Sequence, residues 1–266
     1  MKEVIQTVRR QTWDHGILHE DSDAIVTELP VALVYNGISH AVMMATPADL
    51  EDFALGFSLS EGILQHRRQL LDIEVNEVDQ GVEVAMTVSA EAFSALKQYR
   101  RSMVGRSGCG LCGVESLEQA IGPAVRVEGA CQLSHQALQA AVVDLGQRQS
   151  LKRLTGGVHA AAWCNVDGEI ALLREDVGRH NALDKVLGAL QRTPHFAPGF
   201  VLVTSRASYE MVAKSARCNI AVLAAVSAPT SLAVQQAELS GVTLVGFLQP
   251  GRQVVYANGQ RIVAGL

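Results

Sequence analysis

The sequence lacks any run of 18 or more apolar residues, so it has no segment that could cross a membrane as a helix. Its first 14 residues mix charged and polar side chains and lack the apolar segment of a secretory signal. An excess of basic charge is absent as well, because the net charge is −5 and the pI is 5.9. These absences predict a cytoplasmic protein that binds neither membrane nor nucleic acid.

A disulfide framework and a zinc site are also disfavoured. The 266-residue chain has five cysteines, whereas disulfide scaffolds are short and have paired cysteines. A structural zinc site usually takes two C-x-x-C pairs, but this chain has only Cys109 and Cys112. We therefore expect no structural metal. In a reducing compartment, a single close pair of this kind is more often functional than structural.

The first hundred residues predict two β-hairpins, each followed by a helix. Asn36-Gly37 between two apolar, alternating runs is a strong hairpin signal. Thr46 is typical of a helix N-cap and Pro47 of a first helical turn. The predicted elements are strands 31–35 and 39–45, a helix 50–64, strands 72–78 and 82–88, and a helix 91–102.

From residue 154 onward, short apolar strands alternate with helices. After a helix that Ser134 caps and that runs to about residue 147, the predicted elements are strands 159–166 and 169–174, helix 181–191, strand 200–204, helix 208–217, strand 221–226, helix 231–239 and strand 242–248. This order predicts an α/β fold with a largely parallel sheet covered by helices on both faces. We expect an α+β N-terminal portion (1–104), a mobile loop (105–114) and an α/β domain (115–266).

The cysteine pair lies in a glycine-rich segment, with four glycines between positions 105 and 113. Because glycine loses the most conformational entropy on ordering, the segment is predicted to be a mobile, exposed loop. Arg100, Arg101 and Arg106 precede the pair, and positive charge favours the reactive thiolate. A persulfide carrier needs these properties: a thiolate, exposure and reach.

The cysteine pattern leaves three other interpretations open. One is a zinc site, and another is a glycine-rich surface loop with two incidental cysteines. A third is a thioredoxin-like dithiol, although such a dithiol follows a strand and here a helix precedes the loop. The pattern does not decide between the two sulfurs, but Cys109 has more glycine around it and lies nearer the arginines than Cys112.

Polar residues also cluster where the predicted strands end, which is where open α/β sheets bind ligands. The segment 155–159 suits either an anion-binding backbone nest or a turn into a strand. Asp176 or Asn181 is expected to cap the following helix, with Arg179 and His180 at its positive N-terminus. That cluster suits an anion; the alternative is a salt-bridged turn.

Two later segments have the same ambiguity. Ser205 and Arg206 follow a buried strand, where a polar ligand would contact them, unless this segment serves only to let Ser208 cap a helix. Residues 249–252 predict a type II turn. Its Arg252 either holds a phosphate or guanine base or is a surface arginine. His159 lacks the H-x-E and P-C-x-x-C patterns of zinc deaminases, so a deaminase is disfavoured.

Several of these motifs resemble those of the formate dehydrogenase accessory sulfurtransferase family. The similarity runs from about residue 29 to 256. It includes CGLCGVE at 109–115, TGGVH at 155–159 and the long run REDVGRHNALDK at 174–185. The resemblance implies a fold like that of cytidine deaminases without their zinc, and a homodimer. It also implies that sulfur is taken from a cysteine desulfurase as a persulfide and passed to the molybdenum cofactor for formate dehydrogenase.

The resemblance also implies roles for particular residues. Cys109 maps to the persulfide carrier, and Cys112 would relay the sulfur or protect it. The substrate is the bis-molybdopterin guanine dinucleotide form of the cofactor. Residues implied in binding it are Phe247, Leu248, Gln249, Pro250, Gly251 and Arg252, to which we add Arg206 and His180 on the physical arguments above. The chain departs from the family at 249–250, where small or basic residues are more common.

Two other functions are compatible with these motifs. A non-catalytic cofactor chaperone would still bind guanine nucleotide and mature the dehydrogenase after both cysteines are replaced. A thiol–disulfide oxidoreductase would act on generic disulfides and would need both thiols.

Overall fold

The structure is a computed structural model that describes residues 2–102, 122–193 and 196–264, without the side chains of 99–102. Cys109, Cys112 and the predicted loop 105–114 lie outside the described residues. The helices are α1 (Leu50–Ser60), α2 (Ala90–Ser102), α3 (His135–Arg148), α4 (Ser150–Thr155), α5 (Arg179–Arg192), α6 (Tyr209–Arg217) and α7 (Ser231–Ser240). The strands are β1 (Ile5–Asp14), β2 (Ile17–Val26), β3 (Leu29–Tyr35), β4 (Ile38–Ala45), β5 (Leu70–Val78), β6 (Gly81–Val88), β7 (Leu133–Ser134), β8 (His159–Asn165), β9 (Ile170–Asp176), β10 (Gly199–Val203), β11 (Val222–Ala225), β12 (Thr243–Gln249), β13 (Arg252–Ala257) and β14 (Ile262–Val263).

The N-terminal half is a four-stranded sheet, in the order β4-β3-β6-β5, with α1 packed on one face. Both predicted hairpins are confirmed. Asn36 and Gly37 have φ angles of 46° and 80°, as a type I′ turn requires. On the inner face Val31, Leu33 and Tyr35 alternate with outward residues and are fully buried.

The predicted cap at Thr46 was wrong. Helix α1 begins at Leu50, and Asp49, in the left-handed conformation, occupies the N-cap position. Thr46 instead bonds to the other half of the chain: its N–H donates to Asp176 Oδ2 at 3.0 Å, and its Oγ1 accepts from Val177 N at 3.2 Å. Tertiary contacts thus take the groups that capping would have used.

The C-terminal half is a six-stranded sheet in the order β13-β12-β11-β10-β8-β9. Only the three central strands, β10, β11 and β12, are parallel to one another; each outer pairing is antiparallel. The expectation of a largely parallel sheet was therefore wrong at both edges. Short turns join β8 to β9 and β12 to β13, and a turn of that length permits only antiparallel pairing.

Helices cover both faces of this sheet, as predicted. Strand residues that point to one face, such as Val201 and Val203, pack with α5, α6 and α7. Residues that point to the other face, such as Phe200 and Leu202, pack with α3. The predicted N-cap of α3 is confirmed, because Ser134 Oγ accepts from Ala137 N at 3.0 Å.

The two halves meet where α1 lies against α5 in backbone contact. A Cβ atom on Gly56 would lie 1.7 Å from Asp184 O, and one on Gly188 would lie 1.9 Å from Asp52 O. Buried charges bridge the same interface: Asp52 Oδ2 accepts from Arg174 Nη2 at 2.7 Å. The predicted division of the chain into segments 1–104, 105–114 and 115–266 stays a prediction.

A separate hairpin precedes both halves. Strands β1 and β2 pair over ten residues each and form a two-stranded sheet of their own. Trp13 and Leu18 face each other near its tip, 71% and 56% exposed. The sequence analysis missed this hairpin because its charged residues are adjacent, as at Arg9-Arg10 and Glu20-Asp21, and leave neither an alternating pattern nor a continuous apolar face. None of the described helices is long and apolar enough to span a membrane.

Candidate functional site

Polar side chains gather at one edge of the six-stranded sheet, where the parallel strands β10, β11 and β12 end. Strand β8 is antiparallel to β10, so its first residues lie at the same edge. Helices α5 and α6 begin there, and helix N-termini favour anions. We call this region the strand-end edge. Its polar and aromatic members are His159, Arg179, His180, Ser205, Arg206, Ser208, Glu210, Ser227 and Phe247.

Main-chain hydrogen bonds join the loops of this edge. Thr204 N donates to Ala160 O at 3.0 Å, which ties the end of β10 to β8. Ala207 N donates to Ala228 O at 3.2 Å, and Phe247 N donates to Ser227 O at 3.1 Å. The predicted contacts Arg206 and Phe247 thus lie in segments that bond to residues 227–228.

His180 stands in the first turn of α5, opposite the first turn of α6. Its Nε2 lies 2.7 Å from Glu210 Oε2. Contact with His180 holds the pKa of the Glu210 carboxyl below its usual value. At this distance His180 and Glu210 form an ion pair when the imidazole is protonated.

Two buried side-chain atoms at the strand-end edge have no hydrogen-bond partner among the described residues. They are Arg179 Nε and Ser208 Oγ. Leaving a buried polar group unpaired costs roughly 1–3 kcal/mol. The sequence analysis assigned Ser208 to helix capping, but it makes no side-chain cap bond. A polar or anionic ligand would satisfy these atoms.

The electrostatic surroundings also favour an anion. Partial burial is the main cause that lowers the pKa of His159, and the nearby cations Arg179 and Lys152 lower it further. Burial alone would lower this pKa, but the smaller contributions of Arg179 and Lys152 show that cations lie near the ring. Arg206 and Arg252 add two exposed guanidinium groups to these loops.

The charged run 174–185 is largely structural. Glu175 accepts hydrogen bonds from Leu151 N and Lys152 N at the start of α4. Asp176 pairs with Lys185 at 2.7 Å, and both side chains are fully buried. The salt-bridged alternative therefore describes most of the run, whereas Arg179 and His180 belong to the strand-end edge.

Neither predicted cap of α5 is correct. The N-cap is Gly178, and no side chain bonds to the helix start. Asp176 Oδ1 accepts from Gly178 N at 2.8 Å and from Asn181 Nδ2 at 2.9 Å, so these two side chains brace the turn before the helix. The Asp176 carboxylate is buried and also pairs with Lys185, so it stabilises the interior and is not available to a ligand.

The segment 155–159 is a turn, the second of its two predicted interpretations. Gly156 has a φ of 68° and closes α4, with its N–H donating to Lys152 O at 2.8 Å. Glycine suits this left-handed C-cap position. Its amide is thus used by the helix end and is not free to bind an anion.

The predicted binding segment 247–252 forms the β12–β13 turn and its approach. Regular pairing stops between Gly246 and Gln249, and Phe247 takes a left-handed φ of 49°. Such a conformation is strained for a large side chain and is often found at functional sites. Gly251 has a φ of 78°, as the predicted type II turn requires. The Arg252 guanidinium lies 5.3 Å from the centre of the Phe247 ring.

The predicted site residues thus divide into three groups. His180 of α5, Arg206 of the loop after β10 and Phe247 of β12 lie at the strand-end edge, and the turn 249–252 extends from it. Leu248 is fully buried and anchors the turn in the core. Cys109 and Cys112 lie outside the described residues. The sequence analysis missed Glu210, although its place two residues after Ser208, in a first helical turn, was a usable signal.

The described residues include no cluster of three or more histidine, cysteine or acidic side chains that could hold a metal ion.

Comparison with known proteins assigns the chain to one family. The sequence profile of the FdhD/NarQ family matches residues 26–263. A curated protein of Cupriavidus necator, named sulfur carrier protein FdhD, is 55% identical over 251 residues, which are 94% of this chain and 87% of that protein. Proteins of the same name from Acinetobacter baylyi and Xanthomonas euvesicatoria are 52% and 48% identical, over 88% and 99% of this chain and 86% and 93% of their own lengths.

One solved structure has the same fold. It comes from Desulfotalea psychrophila and is assigned as a formate dehydrogenase accessory protein. The TM-score is 0.75 at 24% sequence identity, and the alignment covers 98% of this chain and all of that one. At this identity the likeness concerns the fold alone, and it agrees with the predicted α/β class. The more specific likeness to cytidine deaminases stays a prediction.

Proposed function

The chain belongs to the FdhD/NarQ family, and we propose that it is a sulfur carrier that serves formate dehydrogenase. The observation that carries this proposal is the extent of the family match, which includes the pair Cys109 and Cys112 and covers nearly the whole chain. Relatives about half identical to it are named sulfur carrier proteins.

In the proposed reaction a cysteine desulfurase supplies the sulfur. The Cys109 thiolate attacks the outer sulfur of the desulfurase persulfide, the S–S bond of that persulfide breaks, and the desulfurase thiolate leaves. Cys109 then holds the sulfur as its own persulfide. On delivery the acceptor supplies the electron pair for a bond to the outer sulfur, the S–S bond breaks, and Cys109 leaves as the thiolate; the acceptor is thereby oxidised by two electrons. Cys112 would relay or protect the sulfur.

The proposed acceptor is the molybdenum cofactor in its bis-molybdopterin guanine dinucleotide form, bound as a substrate. Two features support an anionic ligand of this kind. Arg179 and Ser208 have buried polar atoms without partners among the described residues, and the strand-end edge and its 249–252 turn carry the exposed cations Arg206 and Arg252. Phosphate groups satisfy both features. A homodimer stays a prediction.

The first test is the intact mass of the protein after incubation with a cysteine desulfurase and cysteine. We expect wild-type protein to gain one sulfur atom that a reductant removes, and the Cys109→Ala variant to gain none. Cys112→Ala is the matched control, since it removes one thiol from the same pair. A Cys109→Ala protein that loads sulfur normally and matures the dehydrogenase contradicts the proposed carrier residue.

Binding without sulfur transfer is a second function that the unpartnered atoms favour. A cofactor chaperone would bind guanine nucleotide and support dehydrogenase activity with both cysteines replaced by alanine. The doubly substituted protein separates the two functions, because a sulfur carrier without its thiol leaves the dehydrogenase inactive.

A further inference from the structure

The β12–β13 turn is poorly anchored by its own strands. Beyond the interruption at Phe247, regular pairing resumes only between Gln249 and Arg252. Gln249, Pro250, Gly251 and Arg252 are exposed. A two-stranded tip of this length is not stable alone. Leu248 anchors the end of β12 in the core, and the position of the exposed residues 249–252 depends further on contacts from another element.

One side chain of α3 supplies those contacts. Gln139 Oε1 accepts from Gly251 N at 2.7 Å, and Gln139 Nε2 donates to Arg252 O at 3.3 Å. The same Nε2 lies 2.9 Å from Gln253 Oε1, to which it donates. The amide of Gln139 therefore bonds to three consecutive residues, two of them through the main chain.

A second contact reinforces the first. The Gln253 amide nitrogen is hydrogen-bonded to His135 Nδ1, one helical turn before Gln139. Helix α3 is itself held in place by the core, because Leu138 and Ala141 on its other face are fully buried there. The turn is thus fixed to a rigid helix rather than to a neighbouring loop.

We call the hydrogen bonds from Gln139 to residues 251–253 the clamp. The clamp determines the position of Arg252. Fixing the Arg252 carbonyl and the preceding Gly251 amide sets the direction in which the Arg252 side chain leaves the main chain. That side chain places its guanidinium over the Phe247 ring. Guanidinium–aromatic contacts of this kind are directional, so they require the two main-chain segments to keep their spacing.

We propose that Gln139 is a positioning residue for ligand binding: by holding the 250–252 turn on α3, it presents Arg252 and Phe247 to the phosphate or base of the nucleotide portion of the substrate. This inference rests on the proposed function, because the segment 247–252 is implied in cofactor binding. Gln139 itself acts through the turn and touches no ligand.

Affinity for GDP, measured by titration calorimetry on the full chain, tests the inference. Gln139→Leu removes all three hydrogen bonds and is expected to weaken GDP binding about fivefold to tenfold. Gln139→Glu keeps an acceptor for Gly251 N but loses both donors, so its affinity should fall between wild type and Gln139→Leu. The control is Gln136→Leu, the same change at an exposed position of α3, which should bind as wild type does.

A double-mutant cycle with Arg252→Ala separates positioning from general destabilisation. If Gln139 acts through Arg252, Gln139→Leu should weaken GDP binding in the wild-type background and have almost no further effect in the Arg252→Ala background. Equal effects in both backgrounds would overturn the inference, because the clamp would then act without Arg252. Urea unfolding of each variant confirms that the compared proteins are folded.

The outcomes also separate this inference from the proposed function. Wild-type protein that binds GDP, with Gln139→Leu equally tight, overturns only the role of Gln139. Wild-type protein that does not bind GDP overturns both the role of Gln139 and the proposed cofactor site.

Discussion

Two buried ion pairs lie within the C-terminal half, and their carboxylates also bond to the N-terminal half: Asp176 accepts from Thr46 N, and Asp184 accepts from Ser60 Oγ. Asp176 pairs with Lys185 at 2.7 Å, and neither side chain has any exposed area. Asp184 pairs with the buried Lys214 at 2.9 Å; burial would lower the Lys214 pKa, but Asp184 and Glu61 outweigh it and raise it to about 12. Removing one partner of such a pair leaves an uncompensated charge in the interior.

Asp176→Asn tests this dependence on pairing. The variant leaves Lys185 buried without a carboxylate, so we expect the free energy of unfolding to fall by about 3 kcal/mol. Asp144→Asn is the control, because Asp144 pairs with the half-exposed Arg148, and we expect a change under about 0.5 kcal/mol. Urea unfolding measures both. Equal losses in the two variants would contradict the importance of burial.

The sequence predicted the density of charge around residue 176 but not its use. The partners of Asp176 include Thr46, which lies 130 positions away. A local pattern cannot reveal such a partner, and Thr46 was accordingly assigned to the helix beside it. Arg179 and His180 were identified as candidate ligand contacts because their place at a helix N-terminus is a local property.

Among elements, those with a local signal were predicted well. The Asn36-Gly37 turn and the Ser134 cap each fixed an element within a few residues. Strands β1 and β2 were missed because they bury little apolar surface, so their sequence carries no alternation. The antiparallel edges of the large sheet were missed because the prediction rested on the alternation of strands and helices, although the short turns at 167–168 and 250–251 permit only antiparallel pairing.

The contact between α1 and α5 yields a prediction at this scale. Replacing a mid-helix glycine with alanine usually stabilises a helix by about 0.5–1 kcal/mol. Gly146 of α3 has nothing within 4 Å of its Cβ position, so Gly146→Ala should show this gain. At Gly188 the new Cβ would lie 1.9 Å from Asp52 O, so Gly188→Ala should instead lower the free energy of unfolding by at least about 2 kcal/mol.

Chemical denaturation of the Gly146→Ala and Gly188→Ala variants measures the change in the free energy of unfolding, which is expected to be an increase in the first and a decrease in the second. If both variants were more stable than wild type, helices α1 and α5 could move apart without loss of stability, which would contradict the importance of their backbone contact.

The whole molecule has three sets of core residues, one in the N-terminal half and one on each face of the C-terminal sheet, and the halves share an interface of helices and buried ion pairs. Asp52 of α1 bonds to both Arg174 and Arg192 of the other half. Separation of the two halves would therefore leave the buried carboxylate without its partners. The halves are therefore expected to be thermodynamically coupled.

Coupling predicts a single unfolding transition. Trp163 lies on β8, so its fluorescence reports on the C-terminal half once the exposed Trp13 is replaced by phenylalanine. Far-UV circular dichroism reports on both halves. The two probes should give the same urea midpoint. Separate midpoints would show that the halves unfold independently.

The candidate site could be predicted only in part at this scale. Chain order placed Arg206 and residues 247–252 after buried strands, which correctly located them at one end of the sheet. The clamp by Gln139 could not be found this way, because Gln139 precedes the 250–252 turn by more than a hundred residues and no local pattern links the two.

The pairing of α1 with α5 also constrains the order in which the chain can fold. Asp52 finds Arg174 and Arg192 at separations of 122 and 140 residues, and closing loops of that length is slow. During synthesis, α1 emerges from the ribosome long before α5 exists, so its glycine-bearing face and its carboxylate stay exposed to solvent. Final docking of the N-terminal half must therefore wait until translation has passed residue 192, which makes this a protein that completes its fold late.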